Sequence, residues 1–179
     1  MHHIRPENCE FATERLRVGS WHSVDRQGDV DLDAVVAEML TERSTKALPD
    51  AWRGDFSVER ANAWIKERDE ESPTLLGIER TSGRAVALVM VHEIALDDSA
   101  FDVRIGYVIA EAVWSRGLAT ELVRGLVDWA RAQPSIRTLT GGVDASNQAS
   151  VRVLVRNGFE LIDSAGSEAI YQLRVDSDE

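Results

Sequence analysis

Residues 114–120, Trp-Ser-Arg-Gly-Leu-Ala-Thr, have the composition of an anion-binding turn. They fall between an alternating apolar run, VRIGYVIA (103–110), and a helical pattern in which Leu118, Leu122, Leu126 and Trp129 share one face. A strand handing over to a helix here exposes unpaired backbone N–H groups and the positive end of the helix dipole, which suits a diphosphate. Gly117 and Ala119 permit close backbone approach, Thr120 offers a hydroxyl donor and Arg116 adds charge. The Gly-Lys-Ser/Thr ending of a nucleotide-hydrolysing loop is missing, which argues against ATP or GTP hydrolysis.

The charge distribution agrees with a small anionic ligand. The chain carries a net charge of −11, yet residues 113–158 hold six arginines (116, 124, 131, 137, 152 and 156) against Glu121, Asp128 and Asp144. That stretch is +3 and the remainder −14, a balance that repels nucleic acid. No run approaches the ~18 apolar residues of a membrane span, and the polar start MHHIRPENCE does not read as a secretory leader. Cys9, the single cysteine, has no partner for an internal disulfide and no nucleophile pattern around it. A soluble, cytoplasmic protein that binds neither membrane nor nucleic acid is the expectation.

The elements that must position this turn follow from periodicity. RLRVGSW (15–21) alternates as a strand, and 32–40 places Leu32, Val35, Val36, Met39 and Leu40 on one helical face. A helix over about 58–69 has Ser57 as its N-cap and turns Ala61, Trp64 and Ile65 inward. TLLGIE and AVALVMVHEI form a hairpin through Thr81–Arg84, and IRTLTGGV (136–143) is a further strand. Asn147 caps a helix with Val151, Leu154 and Val155 on one face and Gly158 as its stop. FELI and AIYQLRV close the chain as a hairpin. Neighbouring strands interrupted late by helical crossovers predict an α/β domain with a mixed sheet.

At this level of detail the residues resemble the GNAT superfamily of acyl-CoA-dependent N-acyltransferases, nearest its RimJ/RimL branch of ribosomal-protein N-terminal acetyltransferases. The resemblance rests on TERLRV near the start, IGY in the central strand, W-x-R-G-L-A-T-E at the turn, then N-x-x-S and NGF, in order along nearly the whole chain. Trp114 departs from the superfamily's usual Gln or Arg at that position, in the manner of the Rim branch. Ser115 replaces a frequent glycine, which puts in question any contact that needs positive φ there.

The resemblance implies a single N-acetyltransferase domain over 1–179, with six to seven strands, about four helices and an acetyl-CoA-binding core at about 85–160. Acetyl-CoA, as acyl donor with no metal, lies between splayed strands VRIGYVIA and IRTLTGGV. Its pantetheine arm bonds to backbone near Val108, Ile109 and Ala110, its diphosphate to Trp114, Ser115, Arg116, Gly117, Leu118, Ala119 and Thr120. Asn147 holds a pantetheine amide and Arg156 reaches the nucleotide phosphates; Arg152 is a weaker candidate.

The implied reaction is direct attack of a neutral amine on the thioester. It needs an oxyanion donor, a backbone N–H near Val108, and a proton for the departing thiolate. Ser150, matching the serine of N-x-x-S, is the thiolate partner; Tyr171, far into the last strand, ranks below it. For the base, His92, Glu93, Asp144, Tyr107 and Glu111 are in view, with Glu93 or an ordered water favoured. An α-amine with a pKa of ~7.8 costs only ~0.7 kcal/mol to deprotonate at pH ~7.4, against ~4 kcal/mol for a lysine at ~10.4. A site without a strong base therefore suits a peptide N-terminus or another low-pKa amine.

The acceptor, an amine-bearing peptide or small molecule, is expected against the loop 41–57, with Trp52, Asp55, Phe56 and Trp64 near it. A homodimer through a sheet edge is compatible with the pattern. The rival readings are a non-catalytic acyl-CoA sensor, an enzyme using a longer acyl-CoA, and an enzyme acting on charged tRNA, the last opposed by the charge.

Overall fold

The computed structural model describes residues 9–25, 30–48, 52–53 and 57–176. Among the described residues eight strands form one sheet: β1 (Phe11–Ala12), β2 (Leu16–Ser20), β3 (Thr74–Glu79), β4 (Ala85–Ala95), β5 (Phe101–Ile109), β6 (Ile136–Asp144), β7 (Glu160–Ala165) and β8 (Glu168–Arg174). Their spatial order is β1-β2-β3-β4-β5-β6-β8-β7, antiparallel except for β5 and β6. Those two run parallel because α5 (Leu118–Arg131) carries the chain back between them. The remaining helices are α1 (Trp21–Asp25), α2 (Leu32–Met39), α3 (Glu42–Thr45), α4 (Val58–Glu71) and α6 (Gln148–Arg156), with a 3-10 turn at Glu111–Val113. This is a single-domain α/β fold on a mixed sheet, as the sequence implies.

Both element counts exceed the expectation of six to seven strands and about four helices. The extra strand β1 is two residues long, too short to show any period, and folds back on β2 through Thr13 N–H to Leu16 O at 2.8 Å. The short helix α3 arises inside what reads as loop 41–57. Its capping box pairs Thr41 with Ser44 rather than with Glu or Gln, a weaker sequence signal. Of the loop's candidate residues, Asp55 and Phe56 lie outside the described residues.

The helices follow their caps and stripes. Ser57 Oγ accepts from Arg60 N–H, and α4 buries Ala61, Trp64 and Ile65. The apolar face of α5 is fully seated, Leu118, Leu122 and Leu126 being at most 1% exposed. Each such leucine contributes about 1.5–3 kcal/mol by leaving water. Gly125 on that helix lies under the β1–β2 turn: a Cβ there would stand 2.5 Å from Phe11 Cε2 and 2.7 Å from Thr13 Cγ2.

Helix α6 is a partial correction. Leu154 is buried and Val151 half-buried, but Val155 is 54% exposed. The helix rests on β6 through Leu154, which sits over the bare backbone of Gly141, so one narrow stripe suffices. Gly158, at φ 88°, ends it, with Phe159 N–H bonding back to Leu154 O and Gly158 N–H to Val155 O.

The functional consequence of the topology is a split in the sheet. Pairing of β5 with β6 runs from Phe101↔Ile136 to Ile105↔Gly141 and stops. Yet β5 stays paired to β4 as far as Ile109, and β6 to β8 as far as Asp144. The two central strands thus part beyond Ile105, as the resemblance implies. Below the split, the buried Asp102 carboxylate accepts from Thr138 Oγ1 (2.6 Å) and Thr140 Oγ1 (2.7 Å), and Gln172 donates to Thr140. This side-chain network locks β5, β6 and β8 together at the root of the gap.

Candidate active site

One wall of the gap is the free edge of β5. Ala110 N–H bonds Val86 O at 2.9 Å, and alternation along an antiparallel pair sends the main-chain groups of Val108 to β4 as well. Tyr107 and Ile109 therefore turn theirs toward the gap. Val108 and Ala110, expected to bond a ligand, are committed to the sheet; of the three, Ile109 faces the opening. Its carbonyl accepts the Trp114 indole N–H at 2.8 Å, so the turn caps the end of its own strand. Arg43 stacks over that indole at 5.0 Å and pairs with Glu111 at 2.9 Å, while Thr41 also donates to Glu111. The start of α3 thus braces the exit of β5.

The turn has the open geometry of an anion site. Asp31, Thr41, Ser57 and Asn147 each cap a helix with a side-chain oxygen, whereas α5 begins on Gly117 with no side-chain cap. Gly117 is left-handed at φ 78°, and Trp114, Ser115, Arg116 and Gly117 are all exposed. The first-turn N–H groups of α5, from Leu118 to Thr120, have no side chain competing for them. Ser115 resolves the question raised by its sequence: it adopts φ 61° without being glycine.

Two residues from afar hold this turn. Glu121 accepts from the Thr13 hydroxyl (2.6 Å), Arg15 N–H (2.7 Å) and Arg15 Nε (2.6 Å), and Arg15 Nη1 donates to Arg116 O at 2.8 Å. Burial alone would raise the Glu121 pKa, but those hydrogen bonds and the Arg15 charge outweigh it and the net shift is downward. Arg116 itself pairs with Glu79 at 2.5 Å. Glu79 is lowered chiefly by the Ser82 hydroxyl, with Arg116 adding to the effect against burial. Sequence reading passed over Arg15, Glu79 and Glu121 as site-builders, although TERLRV and the glutamate after Thr120 are both plain in it, and it took Glu111 as a candidate base where the structure makes it a brace.

The other wall is β6 and α6. Asn147 Oδ1 receives Ser150 N–H at 3.2 Å, which commits the oxygen and leaves the amide donors. Ser150, on the first turn of α6, lies beside the Tyr107 phenol on β5. The phenol oxygen is buried and completes no hydrogen bond of full geometry among the described residues. Burial pushes its pKa up, and the Ser150 hydroxyl offsets part of that rise. At the far end of α6, Asn157 Nδ2 donates to Thr120 O at 3.3 Å, which ties that helix end to the first turn of α5; Arg156, the residue before it, is exposed. Arg152 is exposed on the same helix.

The remaining candidates sit farther out. Glu93 pairs across β4–β5 with Val103, on the same face as Tyr107 but four residues down the sheet, roughly 13 Å away at ~3.3 Å per residue. His92 points to the opposite face and is exposed. Tyr171 pairs with Gly141, nearer the split than its place in sequence suggests. Asp144, at the end of β6, has its pKa lowered mainly by Ser146, with the Arg53 charge contributing. Arg53 is thus within electrostatic reach of Asp144, while its guanidinium donates to Lys46 O and Leu48 O. Trp52 is half-buried, edge-on to Trp64 at 5.2 Å and covered by the Arg68 guanidinium at 5.2 Å. Cys9 is buried with its thiol pushed up to about 12, chiefly by desolvation, which leaves it inert.

Solved structures with the same architecture are numerous. A GNAT-family acetyltransferase from Bacillus anthracis superposes with a TM-score of 0.74 at 15% identity, covering 93% of this chain and 98% of that one. RimL, a ribosomal alpha-N-protein acetyltransferase solved with coenzyme A, gives 0.70 at 16% identity, covering 93% and 97%. The ribosomal-protein-S5-alanine acetyltransferase of Vibrio fischeri gives 0.62 at 13%, covering 92% and 96%. At these identities the likeness is one of fold. No curated protein matches the sequence. Among the described residues no helix is long and apolar enough to cross a membrane. The acetyltransferase (GNAT) domain family matches residues 26–160, well over half of the chain and a span that includes β5, β6 and the uncapped turn between them, and the protein belongs to that family.

Proposed function

We propose that the protein moves an acetyl group from acetyl-CoA to a primary amine by direct attack, within the RimJ/RimL-like branch and in the cytoplasm. The observation that carries this reading is the opening between β5 and β6 beside a helix start that no side chain caps. The N–H groups of residues 114–120, with Arg156, would hold the diphosphate; Asn147 Nδ2 and the Ile109 edge would hold the pantetheine amides. When bound, acetyl-CoA supplies the activated acyl carbon.

The chain's own groups then divide the work. A main-chain N–H on the open edge of β5, at Tyr107 or Ile109, donates to the oxygen that gains charge as the C–N bond forms. As the C–S bond breaks, Ser150 Oγ–H hydrogen-bonds to sulfur and relays to it the proton that the attacking nitrogen releases, ending as a neutral hydroxyl beside Tyr107. Of the two bases favoured, Glu93 is too far to touch an amine at Ser150, and an ordered water would take the proton. No metal is called for. This weak base provision favours a peptide N-terminal α-amine or a small amine of similar pKa.

The test is thiol release from acetyl-CoA over a panel of amines, α-amine peptides and lysine peptides with a blocked N-terminus. Free α-amines should turn over fastest, and faster turnover of the blocked lysine peptides would refute the preference. Binding without acetylation of any amine would instead favour the sensor reading.

A further inference from the structure

We infer that Arg15 is a diphosphate-binding residue, delivered to the turn from the other end of the chain. The inference rests on the acetyl-CoA reading above and adds to it a cation that neither spacing nor helix patterning reveals. Three cations are within view of the α5 N-terminus. Arg116 is drawn off by the buried Glu79, and Arg156 is exposed with no fixed contact among the described residues. Arg15 is held rigidly: Nε on Glu121 and Nη1 on Arg116 O fix two corners of its plane. Its third corner, Nη2, lies 3.7 Å from where a Cβ on Gly117 would stand. That is the spot at which a ligand backed against the glycine must arrive.

A planar guanidinium fixed in this way has already lost its rotamer freedom, so a new hydrogen bond from Nη2 costs little ordering. The pairing with Glu121 does not divert Nη2. It fixes the plane through Nε, with Nη1 on Arg116 O, and leaves Nη2 without a hydrogen-bond partner among the described residues. Glu121 also accepts from the Thr13 hydroxyl, a bond that steadies the turn without touching the guanidinium, while Arg15 N–H and Nε hold the carboxylate by themselves.

The experiment titrates wild type, Arg15→Lys and Thr13→Val with CoA and with pantetheine, which lacks the diphosphate, following heat by calorimetry. Thr13→Val removes one bond to Glu121 while keeping the guanidinium and its own contacts. Arg15→Lys should weaken CoA tenfold or more and leave pantetheine unchanged, while Thr13→Val keeps CoA within about threefold despite a lower Tm. Three results overturn the inference: unchanged CoA affinity in Arg15→Lys, an equal loss of pantetheine, or a loss in Thr13→Val as large as in Arg15→Lys. A wild type that binds neither compound overturns the acetyl-CoA reading and this inference with it. Normal wild-type binding with an unaffected Arg15→Lys overturns this inference alone.

Discussion

Ser150 lies against the buried Tyr107 phenol across the gap between α6 and β5, yet no hydrogen bond of full geometry to that oxygen is completed among the described residues. An unsatisfied buried hydroxyl costs about 1–3 kcal/mol, so its retention at the split calls for a role. Tyr107→Phe should raise stability or leave it level, while lowering kcat. Ser150→Ala should lower kcat by about 100-fold with the KM for acetyl-CoA held. Paired melting curves and steady-state rates check both. A Tyr107→Phe enzyme of full activity would reduce the phenol to packing.

Left-handed backbone at Ser115 makes the turn improvable. A non-glycine residue in that region costs about 1–2 kcal/mol, and glycine's extra unfolded freedom takes back about 0.5–1 kcal/mol. Ser115→Gly should therefore stabilise the protein by roughly 0.5–1 kcal/mol in urea unfolding. Ser115→Val should do the opposite.

Contact between α5 and the β1–β2 turn is tight enough to reverse a normal helix preference. Alanine is ordinarily better than glycine inside a helix by about 1 kcal/mol. At Gly125 the added Cβ would sit 2.5 Å from Phe11 Cε2, so Gly125→Ala should instead destabilise by about 1–3 kcal/mol. The displaced β1 would shift the β1–β2 turn that carries Arg15, and CoA binding should weaken together with the melting temperature.

Acid should loosen the turn before neutral conditions do. Glu121 and Glu79 titrate below the ordinary carboxylate range when folded, so the unfolded chain binds more protons as pH falls. Their stabilisation is complete above the unfolded carboxylate pKa of ~4.3 and fades as pH drops through the lower folded values. Glu121→Gln should melt earlier than wild type at pH ~7 and lose less on passing to pH ~3. Parallel melting curves would contradict the ion-pair account.

Local features of this fold were plain in the sequence, and distant ones were not. Ser57, Asn147 and Gly158 mark helix ends through bonds spanning a few residues, and the α5 stripe needs only periodicity. The split between β5 and β6 was implied by family resemblance rather than by any pattern of spacing. Arg15 and Glu121 stand 106 residues apart, and no local rule announces that a strand turn will clasp a helix start. Arg116 read as a free cation because Glu79 meets it only once β3 is placed. Val155 read as core because an i, i+4 partner of Val151 is expected inside, whereas α6 buries a narrower face.

The central claim is that main-chain N–H groups at the start of α5 receive the diphosphate of coenzyme A while the β5–β6 gap receives its arm. A crystal structure of the protein with CoA tests it most directly. The account predicts phosphate oxygens within hydrogen-bond distance of N–H groups between Trp114 and Thr120, the sulfur beside Ser150, and the Trp114 indole still at the rim. Density for the nucleotide elsewhere on the surface, or an empty gap at saturating CoA, would contradict it.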